Sequence, residues 1–386
     1  MTAPGRRARN VGMEKPDRPL RYGWTTGTCA TAAAKAAFMA LATGEFPDPV
    51  EVTLPRGERP AFALATTRIE NGAATAGVVK DAGDDPDVTH GALILATVRP
   101  GASGAGVRFL AGEGVGTVTR PGLPIPPGEP AINPVPRAMI RDAIAEAAAA
   151  TSRPGDVDVT IAIPGGEALA ARTLNSRLGI VGGLSILGTT GIVVPYSCSS
   201  WIHSIRSGID VARAMGLVHV AGATGSTSEV AVRQMHGLPE PALIDMGDFV
   251  GGMLKYLRTH PVEKVTIAGG VGKMAKLAQG LLDLHSKRGT VDLSALAAVA
   301  ADSGGTAALA ERIRAANTAA EAFALAAAEG VALGDAVAGA AWRTAARAIE
   351  GTDTVLEIAI FDREGKLVGH VPFAPVHDAP PRNRRR

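Results

Sequence analysis

The chain has 386 residues, 46% of them apolar and 20% charged, a length that exceeds one ordinary core and predicts two globular domains. Its net charge is +2, from 39 basic and 37 acidic residues, and aromatics make up 4%. That balance excludes the basic field and the stacking platform of a nucleic-acid binder, while leaving room for a small anionic substrate met by local arginines. The two cysteines, Cys29 and Cys198, cannot build a disulfide framework or a metal cage, so a cytoplasmic protein without its own metal is expected. The N-terminus lacks the apolar core of a secretory signal, and no run of 18 uncharged apolar residues predicts a membrane span.

Residues 1–17 and 377–386 are rich in Pro and Arg and read as disordered tails. Thr25 to Leu41 predicts a helix, because an Ala-rich run follows the hydroxyl-bearing start Thr25-Thr26-Gly27-Thr28. Strands are expected at Val50–Leu54, Ala61–Ile69, Ala76–Val79, Ala92–Val98 and Gly106–Ala111, then a helix over Arg137–Ala150 and a strand over Asp156–Pro164. Residues 18–182 therefore read as an α+β domain with a mostly antiparallel sheet. From residue 183 to 376 strand and helix alternate: strands at Gly191–Tyr196, Leu217–Gly222, Pro241–Gly247, Lys264–Gly270 and Val355–Asp362, with a long Ala-rich helical tract from Leu293 to Ile349. This spacing predicts an α/β domain with a doubly wound, mainly parallel sheet that binds a cofactor.

In such sheets ligands sit beyond the carboxyl ends of strands, over helix N-termini. Three such positions are Gly-rich: Gly188-Thr189-Thr190-Gly191, Gly222-Ala223-Thr224-Gly225-Ser226 with Glu229 downstream, and Gly269-Gly270-Val271-Gly272. The last continues as Lys273-Met274-Ala275 and formally fits a dinucleotide fingerprint, with Asp292 at a suitable distance, although late in the sheet. A nucleoside ribose calls for a carboxylate at a strand end, and Asp245 closes one, with Asp248 and Glu229 behind it; Asp248 equally suits a helix N-cap. The start Thr25–Thr28 offers free amides to an anion or simply caps its helix. Arg177, Arg206 and Lys273 can pair with substrate carboxylates. The acidic segment from Lys80 to His90 reads as a solvated turn, or as a source of proton transfer through Asp81 or His90. No hydrolase or metalloprotease motif is present.

The string LRYGWTTGTCATAAAKAA (20–37) resembles the N-terminal signature of the CbiD family, the cobalt-precorrin-5B (C1)-methyltransferases of vitamin B12 synthesis. The resemblance extends through GVVKDAGDDPDVTHGALI, IPGGEALAARTLNSRLGIVGGLSILGTTGIV, SCSSWIHSIRSGIDVARAMG, HVAGATGSTSE and IAGGVGKMAKLAQG. Trp24 stands where the family more often has Tyr or Phe. The likeness implies methyl transfer from S-adenosylmethionine to C1 of a cobalt-bound, ring-contracted tetrapyrrole, giving cobalt-precorrin-6A in the anaerobic pathway. Cobalt then belongs to the substrate, and no metal is expected on the protein. On this reading Gly188, Thr189, Thr190, Gly222, Thr224, Gly225, Ser226, Glu229, Asp245, Gly270 and Gly272 hold the cofactor. Thr25, Thr26, Gly27, Thr28, Arg177, Arg206 and Lys273 hold the substrate. Besides the tetrapyrrole, a homodimer and transient contact with neighbouring pathway enzymes are the partners to expect, with no nucleic acid and no membrane. An NAD(P)-dependent reductase and a non-catalytic corrinoid carrier are the competing readings.

Overall fold

The computed structural model describes residues 18–378, and the chain divides into two compact units, residues 1–197 and 198–386. The division falls later than the boundary at residue 182 expected from the sequence. The tails read at 1–17 and 377–386 lie outside the described residues, apart from 377 and 378, which close a short 3-10 turn at Val376–Asp378.

The first unit runs β1 (Gly23–Trp24), α1 (Thr26–Thr43), β2 (Val50–Glu51), β3 (Ala61–Phe62), β4 (Thr66–Glu70), β5 (Ala73–Val79), β6 (Leu93–Pro100), β7 (Val107–Ala111), β8 (Thr117–Val118), α2 (Pro134–Thr151), β9 (Val157–Ala162), α3 (Gly166–Ala170), β10 (Ile180–Val181) and β11 (Ile192–Val193). Five strands form a sheet in the order β4-β5-β6-β9-β7, antiparallel except for the β7–β9 pair. Helix α1 packs on β5 and β6 and against α2. Its alanines from Ala30 to Ala37 are fully buried, because a side chain of one carbon lets sheet and neighbouring helix approach on opposite sides. Lys35, the charged residue in that run, reaches the Glu51 carbonyl (2.8 Å) and Glu146 (3.1 Å). The run Gly191–Tyr196, expected as the first strand of the parallel sheet, is instead the short β11, paired antiparallel with β1. Gly191 turns the chain at φ +86°, and Pro195 has no N–H with which to extend a ladder.

The second unit runs α4 (Cys198–Ala214), β12 (His219–Ala223), α5 (Ser226–His236), β13 (Leu243–Asp245), α6 (Val250–Leu257), β14 (Lys264–Gly270), α7 (Val271–Ala278), α8 (Leu293–Asp302), α9 (Ala307–Arg314), α10 (Ala319–Ala328), α11 (Leu333–Ala348), β15 (Val355–Phe361) and β16 (Leu367–Pro375). Its sheet has the order β13-β12-β14-β15-β16. The first four strands are parallel and β16 returns antiparallel. Alternate strand residues bury on opposite faces, as the two-residue period requires. Val220, Ile244, Val265, Ile267, Leu356 and Ile358 meet α4, α6, α7 and α11. Ala221, Leu243, Ala268, Ala359 and Phe361 meet Val232 of α5. Strand β16 has no counterpart in the sequence reading. Pro372 and Pro375 argue against a strand in sequence, yet an edge strand tolerates residues that cannot donate.

Between β5 and β6 the fold buries a charge. Lys80 is 2% exposed; its Nζ pairs with Asp87 and bonds the Thr89 hydroxyl at 2.5 Å. Asp87 also accepts from the Thr89 N–H (2.7 Å) and hydroxyl (2.6 Å). The segment read as a solvated acidic turn is thus anchored from below. Burial pushes the Asp87 carboxyl up, but the Lys80 charge and the bonds from Lys80 and Thr89 outweigh it, and the net shift is downward. Asp87→Asn leaves a buried ammonium unpaired and should cost about 3 kcal/mol, measurable by urea unfolding. Since the folded value lies below the unfolded one, the stabilisation is present above pH about 4 and disappears as pH falls through the folded value.

Candidate active site

In the second unit the chain enters at β12, moves to β13 on one side, and crosses back to β14 on the other. The carboxyl ends of β12 and β14 therefore flank a topological switch point, where the helices that follow diverge and leave a crevice. A cavity of about 1330 Å³ opens there. Its floor is Thr224–Ser228, leaving β12 into α5, and Gly270–Lys273, leaving β14 into α7. One wall is the turn from Phe361 to Glu364 and Lys366, and the other is α10 with Phe323 and the start of α11. The first-turn amides of α5 and α7 have no carbonyl one turn before them and carry the positive end of the helix dipole.

Of the residues read as cofactor contacts, Thr224, Gly225, Ser226, Gly270 and Gly272 line this cavity, as does Lys273. A Cβ built on Gly225 or Gly272 would meet nothing within 4 Å, so these glycines leave open space. Gly222 does not line it, for a different reason: a Cβ there would stand 2.4 Å from the Met253 sulfur. Glu229 lies in the first turn of α5, its N–H bonded to the Gly225 carbonyl at 3.0 Å. Asp245 ends the edge strand β13, outside the cavity lining, and its carbonyl accepts from the Trp201 indole at 3.0 Å. Arg206 lies over the Tyr256 ring at 5.5 Å, and the Tyr256 hydroxyl bonds Asp210 at 2.8 Å. Asp248 does not cap α6, whose N-cap is Phe249; it pairs with Lys273. Burial first, then the neighbouring Lys276, lowers the Lys273 ammonium.

Sequence reasoning missed the cavity's far side. Asp362 stands at the carboxyl end of β15 and its Oδ1 accepts from Glu364 N (3.0 Å) and Lys366 N (2.8 Å). An Asp closing an apolar strand was the available signal, the same that singled out Asp245. Asp292, the acid the dinucleotide fingerprint would need, caps α8 by accepting from Ser294 N (2.8 Å) and Ala295 N (3.1 Å).

In the first unit three sequence motifs meet. Thr25 caps α1 by accepting from Thr28 N at 3.2 Å; the Thr28 hydroxyl donates to the Gly191 carbonyl at 2.7 Å, and Gly27 N bonds Leu187 O at 2.9 Å. Thr26 is 6% exposed. Gly188, at φ +143°, lies so close that a Cβ would fall 2.3 Å from the Thr25 hydroxyl. The glycines at 188 and 191 thus let their loop clasp the helix start, with Thr190 bonding Ile192 locally and Thr189 exposed. Arg177, 8% exposed, lies among the buried polar residues of this unit. The acidic segment closes the group. Arg21 forks onto Asp81, Trp24 N bonds Asp81 O at 2.7 Å, and Tyr196 N bonds Asp85 at 2.8 Å. Asp81 also faces His90, whose Nδ1 accepts from Ala82 N at 3.1 Å. The hydrogen bond from Arg21, then that from Gly83 N, holds the Asp81 carboxyl below its ordinary value, while burial pushes the Cys29 thiol up to about 12.

These features define an α/β protein with a cavity at the switch point of a mainly parallel sheet. The family model for CbiD matches residues 13–195, and that for the CbiD C-terminal domain matches residues 283–372. A Bradyrhizobium protein named cobalt-precorrin-5B C(1)-methyltransferase is 64% identical over 96% of this chain and 98% of its own length. Proteins of the same name from Agrobacterium fabrum (62%, 97% and 100%) and Halorhodospira halophila (61%, 92% and 95%) are similarly close. A crystal structure of a cobalamin biosynthesis protein, CbiD, from Archaeoglobus fulgidus is 29% identical, with a TM-score of 0.38 over 70% of this chain and 83% of that one. The chain belongs to the CbiD family. Among the described residues no helix is long and apolar enough to cross a membrane.

The two kinds of glycine separate in experiment. Gly222→Ala should lower stability by about 1–3 kcal/mol through overpacking, whereas Gly225→Ala should leave the melting temperature within about a degree of wild type. Calorimetric unfolding of both variants checks this contrast.

Proposed function

We propose that this chain transfers the methyl group of S-adenosylmethionine to C1 of cobalt-precorrin-5B, giving cobalt-precorrin-6A, and that its cofactor occupies the cavity beside β12, β14 and β15. The observation that carries the placement is the coincidence of that cavity with the switch point and with two helix N-termini. The names of the relatives, at 61–64% identity over nearly the whole chain, support the reaction.

The residues divide the work by their chemistry. The amides of Ser226–Ser228 suit the carboxylate of the cofactor's amino acid head, and Asp362 suits its ribose diol, in the role the sequence reading offered to Asp245. The open faces of Gly225 and Gly272 allow close approach of the ligand to the backbone. Arg363, Lys366, Lys273 and Lys276 line the same cavity and match the acetates and propionates of the tetrapyrrole. At about 1330 Å³ the space exceeds the usual range of about 300–1,000 Å³ for a single small ligand, which favours two ligands side by side. A sulfonium supplies its own leaving group, so the protein's task is to align donor and acceptor carbons about 3–3.5 Å apart and keep water out.

S-Adenosylhomocysteine should bind the chain in a 1:1 ratio by titration calorimetry, and NADPH should not; the reverse would favour a reductase. Asp362→Asn keeps an acceptor for the Glu364 and Lys366 amides but removes the charge. It should weaken S-adenosylhomocysteine at least tenfold, about 1.4 kcal/mol, and an unchanged dissociation constant would take Asp362 out of the site.

A further inference from the structure

At the end of the second unit's sheet opposite the cavity lies a cluster that the proposed reaction does not use. Glu357, third residue of β15, is 2% exposed. Its Oε2 receives His236 Nε2 at 2.7 Å and the Thr266 hydroxyl at 2.6 Å, and its Oε1 receives His370 Nε2 at 2.9 Å. His219, first residue of β12, points its Nε2 at the same Thr266 hydroxyl at 2.8 Å. The His219 and His236 rings stand edge to face at 4.9 Å, and Phe373 packs against both, at 5.1 and 5.7 Å. A buried carboxylate is ordinarily matched by Lys or Arg. Here the ion-pair partners of Glu357 among the described residues are His236 and His370.

We infer that His219, His236 and Glu357, with His370 as fourth donor, form a structural Zn²⁺ site. Their ligand atoms lie within 4.8 Å of one another for the first three, and a tetrahedral zinc with bonds of about 2.0–2.2 Å needs them roughly 3.3 Å apart. Zinc binding therefore requires the side chains to draw together from the spacing seen here. Two imidazoles and a carboxylate are a donor set of zinc's borderline softness, and a third imidazole closes the fourth position as structural sites require. Supporting groups are in place: the Thr266 hydroxyl orients Glu357, and Asp335 accepts the His370 backbone N–H at 2.9 Å. The donors come from β12, the end of α5, β15 and β16, so the ion would tie the antiparallel edge strand and α5 to the parallel core.

The full-length chain is treated with EDTA, dialysed, and titrated with ZnCl₂ by calorimetry, with metal content read by elemental analysis. One equivalent should bind and raise the melting temperature by about 5 °C or more. His236→Gln keeps a hydrogen-bond donor to Glu357 but removes the ligand nitrogen. It should weaken zinc at least tenfold and abolish the thermal shift, while His260→Gln, at a histidine stacked on Tyr256, should retain both. Sub-stoichiometric zinc in the wild type, or equal affinity in His236→Gln, would show that the cluster is only a hydrogen-bonded network.

Discussion

The parallel pairing of β12 with β13 on one side and β14 on the other is the constraint from which the second unit follows. Parallel strands end at one edge, so every following helix begins there, and each begins with amides that its own backbone cannot satisfy. Because the chain reverses direction across the sheet between β13 and β14, the loops at that edge part instead of packing over one another. The cavity is the consequence. Its floor is polar through backbone geometry, and its charge comes from the Asp362–Lys366 turn together with Lys273, Lys276 and Asp335.

Glycine has two distinct uses around these loops. At Gly222 and Gly188 a neighbouring side chain occupies the place of the missing Cβ, at 2.4 and 2.3 Å respectively. At Gly225 and Gly272 the place is open. The first kind serves packing, so such a position is glycine whatever the protein binds. Only the second kind admits a ligand, and the distinction depends on which element crosses overhead.

The charged groups follow a similar division. Arg21 and Asp81 pair at the surface, with side chains 59% and 43% exposed, where water competes and the pair orders a loop more than it stabilises the fold. Lys80 and Asp87 pair with the ammonium buried, so each partner is required once the other is present. Both pairs hold the one segment from Lys80 to His90. Lys80 anchors it from beneath, and Arg21 and the Tyr196 N–H bond it above.

Much of the architecture is legible in the sequence, because periodicity and propensity are local. The Ala-rich run after Thr25 can only be a helix, and the alternation of apolar strands with helices after residue 216 states a parallel sheet. The family signature is equally a property of the string. Local pattern could not decide which Gly-rich turns face a ligand, since Gly188-Thr189-Thr190-Gly191 and Thr224-Gly225-Ser226 have the same kind of residues and differ only in what packs on them. Nor could it place Asp362 in the cavity and Asp245 outside it, bury Lys80 beneath an acidic turn, or reveal β16 behind its prolines. His219, His236, Glu357 and His370 are scattered over 152 positions (370 − 219 + 1), and their meeting is a product of sheet register. Sequence determined most of the elements and the family; the tertiary structure decided neighbours, because contacts between distant residues are set by strand order and packing, which no short window of residues contains.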